Sequence, residues 1–419
     1  MSAPRNEPIR LNDIQSIMRS WSELAPYQFI HAMQIDGSAD VCRWRLAAEQ
    51  AVQELGLGAP DFLGNTVRFS QAPSVRIDLP EIDLDQHVDA EMNRSFSRDE
   101  LPVRFFVIEQ PGNSHWFGVV VDHWLADDYS CRQLLHGIFL RYHSSESENR
   151  FTSPRQCISP PLRQPGFAGL RHLVKQVAIH RRAFRLPLGD ALDFRVRTFR
   201  RTLPDGFIDT LRLLAKERAA TVHDLFLVGC VQAFGEFRKA QFDGKRQGIG
   251  LVTAMDLRRF EGSGEGETAF GCALGYFFVV VFQPEASASG SLIRDMASKT
   301  RLLKASNRAG LGELKWVQAL LAVSRSPRAR ATLFHRGVPQ VCGISNVNLT
   351  GSWVEEARPR LLDYRRIGPT GPIVPMLFMI TTIGSRLSID VTYRTAAFTR
   401  HHAEFLTDRF IMRLSSLAA

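Results

Sequence analysis

The hydrophobic and polar positions of the first third fall into alternating strand and helix patterns. Residues 27–36 read as a strand. Asp40 then stands as an N-cap before Val41, Trp44, Ala48, Ala51 and Leu55, which recur at helical spacing. Weak strands are predicted over 66–70 and 74–79, and a helix over 84–96. Residues 103–110 and 114–122 read as two strands joined by Pro111-Gly112-Asn113, which has strong turn chemistry. The second holds Trp116, Phe117, Gly118, Val119, Val120 and Val121 in a row, an apolar run that suits a strand buried on both faces. Ser130 with Gln133 three residues on has the pattern of a capping box. Leu134, Leu135, Ile138, Phe139 and Tyr142 then share one helical face.

From 144 to 165 the chain turns polar and proline-rich, which predicts a connection between halves, and a basic helical stretch follows to 185. A second α/β series comes next. Helices fit 205–218 and a segment from Thr221 through Phe226, Val231 and Phe234. Strands fit 248–255, 273–282, 341–346, 375–382 and 386–393, with a closing helix over 399–414. The organisation predicted is an N-terminal half over 1–165, a basic crossover over 166–200 and a C-terminal half over 201–419. The glycine-rich run 261–268 lacks the lysine of a phosphate-binding loop and reads as a surface loop.

Composition narrows the classes. With 419 residues and 44% hydrophobic content the chain can bury a large core, in two domains or one pseudo-duplicated unit. No apolar run approaches the roughly 18 residues of a membrane span, and the polar start MSAPRNEPIR lacks the apolar region of a secretory signal. Six scattered cysteines without a C-x-x-C pair argue against a zinc site or disulfide framework, and for a reduced, cytoplasmic protein. The net charge of +9 is concentrated in 171–201, where nine basic residues face only Asp190 and Asp193. Such a segment attracts nucleic acid, acidic lipid, coenzyme A phosphates or an acidic protein, or is simply a solvated helix face. Charge alone supports nucleic acid, so that reading is set aside.

The chemistry concentrates in VVVDHWLADDYS, residues 119–130. His123 is the only one of 12 histidines with Asp four residues on; His87 has Glu91 there. It leaves the end of a buried strand just before a helix, where α/β sheets commonly meet ligands. A neutral imidazole, with an ordinary pKa of about 6.5, suits general-base work; the alternative is a histidine that only closes a turn. Trp124 and Tyr129 either line an acceptor pocket or belong to the core, and Tyr393 reads as structural. His401-His402 sits at a helix start without organised partners, so no metal site is predicted.

The run ELPVRFFVIE…HWFGVVVDHWLADDYSCRQLL resembles the middle of a domain of the chloramphenicol-acetyltransferase-like superfamily, around its H-H-x-x-x-D-G motif. TVHDLFLVGCVQAF, VTAMDLRRF, GCALGYFFVVVF, GISNVNLTG and SRLSIDVTYRTAAFT resemble later segments of that superfamily, in collinear order over nearly the whole chain. The resemblance implies two similar α/β halves with mixed sheets and a tunnel between them, the motif histidine at its middle. The superfamily includes chloramphenicol acetyltransferase, plant BAHD acyltransferases, polyketide-associated acyltransferases and peptide condensation domains. By the same resemblance His123 is the catalytic base, Asp127 a structural residue paired with Arg258, and Ser345 and Asn346 lie near the tunnel with Trp124 and Asp128. Arg104 is the next candidate partner for Asp127.

Two departures stand out. Asp122 replaces the first histidine of the motif, and Asp128 replaces its glycine, where the family offers bare backbone. Asp128 is expected to cap the helix beginning near Ser130; the alternative points it inward, toward a cationic acceptor. The plant D-F-G-W-G and the condensation-domain R-H-E-x-L-R-T motifs are absent, which favours a standalone enzyme of secondary metabolism. The reaction implied is direct acyl transfer, without a covalent acyl-enzyme or bound cofactor. The donor is acyl-CoA or an acidic acyl carrier protein carrying a phosphopantetheinyl thioester, and the acceptor is a small hydroxyl or amine compound. The alternatives are a condensation-type domain working between carrier proteins and a catalytically silent binding module.

Overall fold

A computed structural model of the chain describes residues 8–70, 74–143, 178–242, 244–258, 270–305, 321, 323–324, 326–357 and 361–418. The predicted proline-rich connection, the first part of the basic crossover and the glycine-rich loop 261–268 lie outside these. Strands run in chain order β1 (Ile9–Arg10), β2 (Gln28–Asp36), β3 (Pro60–Leu63), β4 (Thr66–Phe69), β5 (Ile77–Asp78), β6 (Val103–Gln110) and β7 (Ser114–Asp122). They continue as β8 (Val196–Thr202), β9 (Gly248–Asp256), β10 (Leu274–Phe282), β11 (Cys342–Asn348), β12 (Leu361–Ile367), β13 (Met376–Ile383) and β14 (Arg386–Arg394).

The chain packs as two compact units, and neither is one continuous stretch. Unit 1 comprises the described residues of 1–161, 256–274 and 350–369, and unit 2 those of 162–255, 275–349 and 370–419. Two segments of the C-terminal part, 256–274 and 350–369, pack into unit 1.

Unit 1 holds a five-stranded sheet in the order β12-β2-β7-β6-β5 and a small sheet β1-β4-β3. Strand β7 is central and buried along its whole length, as its apolar run requires. It pairs antiparallel with β2 on one side and β6 on the other. Gly118 at its middle stands opposite Ala32 and Phe106; a Cβ there would meet the Phe106 ring at 2.0 Å. Helices α1 (Asp13–Ser22), α2 (Val41–Glu54), α3 (Leu84–Glu91) and α4 (Asp128–His143) accompany the sheets. Helix α3 stops five residues before its predicted end at 96, because Gln28 on β2 takes the main-chain carbonyls of Glu91 and Arg94.

Unit 2 holds the six-stranded mixed sheet β10-β9-β11-β13-β14-β8, in which β9, β11 and β13 run parallel. Helices α5 (Phe207–Glu217), α6 (Val222–Gln241), α7 (Ser289–Ala305), α8 (Pro327–Gly337) and α9 (Arg400–Ala418) complete it. The core is built from α6, buried almost continuously from Asp224 to Arg238, and one apolar face of α9 against the sheet, with Phe378 stacked on Phe410 at 5.1 Å. Among the described residues no helix is long and apolar enough to cross a membrane.

Burial of histidines makes the fold acid-sensitive. Desolvation pushes His123, His143, His180 and His223 down to about 4, and lowers His31, His87, His115 and His335. Below about pH 6.5 the unfolded chain binds protons that the folded chain refuses, so stability falls as the pH drops toward 4. Asp122 works the other way. Burial raises its carboxyl to about 6, so the fold gains from it between pH 6 and the ordinary carboxylate range. Eight histidines against one carboxyl set the expected sign: the melting temperature should fall steadily from pH 6.5 to 4. A flat calorimetric profile over that window would contradict it.

Candidate active site

Strand β7 ends in a turn that places His123 inside unit 1, 2% exposed. The His123 N–H donates to the Tyr27 carbonyl (3.0 Å), and the Leu125 N–H donates to that of Asp122 (2.9 Å). The imidazole stacks on Tyr27 with centroids 5.2 Å apart and meets the edge of Phe29 at 4.3 Å. Its Nδ1 lies 3.2 Å from the Ala126 carbonyl, an acceptor only, so Nδ1 carries the proton and Nε2 keeps the lone pair. Burial lowers His123 to about 4, outweighing its backbone hydrogen bonds, so the ring is neutral at physiological pH. The Cys272 thiol donates to the His123 carbonyl (3.2 Å) and stands 3.4 Å from the Met18 sulfur, fixing the main chain beneath the ring.

Asp127 and Arg258 lie together in unit 1. Two guanidinium nitrogens reach the two carboxylate oxygens at 2.7 and 3.2 Å, with both side chains essentially buried. The carboxylate also accepts from the N–H of Ser130 (3.0 Å) and of Ala273 (2.8 Å). Arg258 also reaches Ser130 Oγ (2.9 Å), the Gly271 carbonyl (3.1 Å) and the Asp256 carboxylate (3.3 Å). Ser130 Oγ donates to the Gly271 carbonyl and accepts from the Gly271 N–H. The result ties the start of α4 to 256–274 and holds the turn from both ends. Arg104, the other candidate partner, pairs instead with Glu91 (2.7 Å) and Glu100 (3.2 Å).

The expected cap is displaced. Helix α4 begins at Asp128, two residues before Ser130, and it is Asp127 that receives a first-turn N–H. Asp128 does not cap; its carboxylate turns into unit 1. One oxygen meets Arg366 Nε (2.6 Å) and His31 Nε2 (3.3 Å), and the other meets Arg132 Nε (3.1 Å). His31 Nδ1 in turn bonds the Tyr364 hydroxyl (3.0 Å). Arg366 lies in β12, whose residue 366 stands opposite His31 on β2. Neighbouring guanidinium groups overcome the burial cost and hold Asp128 well below the usual carboxylate range.

Trp124 packs against Phe62 and Phe69 of the small sheet, a core environment. Ser345 and Asn346 stand on β11 of unit 2, where Asn346 bonds His223. The basic segment is partly neutralised: Arg195 pairs with Asp193, and Arg201 with Asp408 and Glu404. Cys272, His31 and Arg366 are not among the residues that the sequence points to, and Ser130 is read there only as a cap. No local spacing marks them, since each reaches the turn through tertiary contacts.

No protein-family model matches the sequence, and no curated protein does. Solved structures match over nearly the full length. The first condensation domain of the calcium-dependent antibiotic synthetase aligns with a TM-score of 0.73 at 15% identity, covering 99% of this chain and 96% of that one. A trichothecene 15-O-acetyltransferase from Fusarium sporotrichioides gives 0.73 at 10% identity, covering 100% and 97%. The epimerization domain from the third module of tyrocidine synthetase B gives 0.65 at 14% identity, covering 99% and 96%. The chain has the chloramphenicol acetyltransferase-like fold. Condensation, O-acetyl transfer and epimerization appear among these neighbours, so this fold leaves the reaction to be argued from the site.

Proposed function

We propose that this protein is an acyltransferase that moves an acyl group from a thioester to a hydroxyl or amine, with His123 as general base. The observation that carries the reading is the fixed tautomer of His123: Nδ1 is tied to Ala126, which leaves Nε2 as the proton acceptor. His123 takes the acceptor's proton as the acceptor attacks the thioester carbonyl, and the leaving thiolate receives it. The Asp127–Arg258 pair positions the turn and touches no reacting atom. Ser345 and Asn346 are assigned to substrate contact by the resemblance alone. The co-substrate is acyl-CoA or a phosphopantetheinyl carrier protein, and the protein works in the reducing cytoplasm, where cysteines scattered without a C-x-x-C pair stay as thiols.

A screen of acyl-CoA and acyl-carrier donors with mass-spectrometric detection tests the reaction class. His123→Ala should then lower turnover at least ~10²-fold, the scale of general-base loss, in a protein that still folds. Because His123 is held near 4, wild-type kcat/KM should not decline through pH 6.5 on account of this base. A folded His123→Ala variant with near wild-type turnover would remove His123 from the chemistry. A silent binding module would show no product with any donor.

A further inference from the structure

Unit 2 carries a second imidazole site, at the C-terminal ends of the parallel strands β9 and β11. His223 stands in the first turn of α6, behind the Thr221 cap. Its Nδ1 bonds Oδ1 of Asn346 on β11, and its Nε2 lies 3.1 Å from Oγ1 of Thr253 on β9. An amide oxygen only accepts, so Nδ1 carries the proton and Nε2 must accept from the threonine hydroxyl. The order is hydroxyl, base and orienting amide, the arrangement that activates a nucleophile. A buried threonine hydroxyl is often satisfied by a nearby backbone carbonyl; this one is aimed at an imidazole already locked on its other side. Thr253 is 2% exposed, while His223 and Asn346 are half-buried, so any approach to the hydroxyl passes the imidazole and the amide. His223 belongs to the first turn of the 20-residue helix α6, so the positive end of that helix carries the imidazole that meets the hydroxyl.

We infer that Thr253 is a covalent acyl acceptor, activated by His223 and Asn346. Thr253 Oγ1 attacks the carbonyl of a small activated ester; the new Oγ1–acyl bond forms as the bond to the leaving oxygen or sulfur breaks. The hydroxyl proton passes to His223 Nε2 and then to the leaving group. Burial lowers His223 to about 4, so it is neutral and ready to accept at pH 7, and its modest basicity calls for an activated ester. This chemistry stands apart from the proposed role of His123, which needs no acyl-enzyme.

The test is p-nitrophenyl acetate added to the full chain, with p-nitrophenolate release followed by absorbance and the protein then digested for mass spectrometry. One acetyl group per chain is expected on the peptide containing Thr253. Thr253→Val, which keeps the shape and removes the hydroxyl, should abolish it, and Thr253→Ser should retain it. His223→Asn should slow labelling about 10²-fold. His123→Ala should label as wild type does, which separates this site from the proposed acyltransferase centre. If Thr253→Val fails to fold, peptide mapping of the wild type and of Thr253→Ser still decides. An acetyl group on another residue, no labelling at all, or undiminished labelling of folded Thr253→Val overturns the proposal.

Discussion

Replacing Arg258 by methionine should destabilise the protein by about 3–5 kcal/mol, the usual cost of leaving one member of a buried ion pair alone. The Asp127 side chain is 0% exposed and that of Arg258 2%, so water cannot take over from the lost partner. The pair is bidentate, and Ser130 Oγ and Gly271 hang on the same guanidinium. Asp127→Asn should cost less than Arg258→Met, since Arg258 keeps the partly exposed Asp256 carboxylate at 3.3 Å while losing the charge of Asp127. The double variant should cost clearly less than the two singles together, because no uncompensated charge then remains buried. Urea denaturation with unchanged m-values is the measurement. Additive effects, or single variants within about 1 kcal/mol of wild type, would show that the pair contributes no more than an exposed one. At temperatures where the variants stay folded, KM should change less than expression yield, as befits a positioning role.

The sequence made some of this legible and hid the rest, for physical reasons. Strand β7 and helix α4 were readable because their apolar runs are local: nine buried residues in one, a stripe containing Leu134, Leu135 and Ile138 in the other. Strand β12 was not. LLDYRRI reads as charged surface, and carboxylates from distant segments meet its buried arginines: Asp85 for Arg365, Asp128 for Arg366. The same applies to the arginine-rich β8, taken from sequence as crossover but paired along β14. At the site, His123 and Asp127 share one turn and could be picked out together. Arg258 lies 131 residues on and came only from the resemblance. The Asn346–His223–Thr253 arrangement joins three elements, and no spacing in the chain announces it.

Asp128→Gly restores the residue common in the resembling family, yet it should destabilise this protein by about 3–5 kcal/mol. Were Asp128 only a helix cap, the loss would be near 1 kcal/mol, with a few tenths more from the helix dipole. The geometry favours the larger figure. The carboxylate lies between Arg366, whose side chain is 0% exposed, and Arg132, with His31 Nε2 at 3.3 Å. Without it two guanidinium groups crowd together while one stays out of reach of solvent, a cost that the extra freedom of glycine only adds to. Burial already lowers His31, so the ring would not take up a compensating proton, and a proton on it would add a third positive charge. Asp128→Asn separates charge from packing: it keeps the volume and should still lose most of the same energy. Arg366→Met placed on Asp128→Gly should recover a substantial part, because the buried cation leaves with its partner. The coupling is best read from denaturation of the four proteins of the cycle. A loss of about 1 kcal/mol or less in Asp128→Gly, with no recovery on adding Arg366→Met, would return Asp128 to the role of a cap and leave Arg366 held by its other contacts.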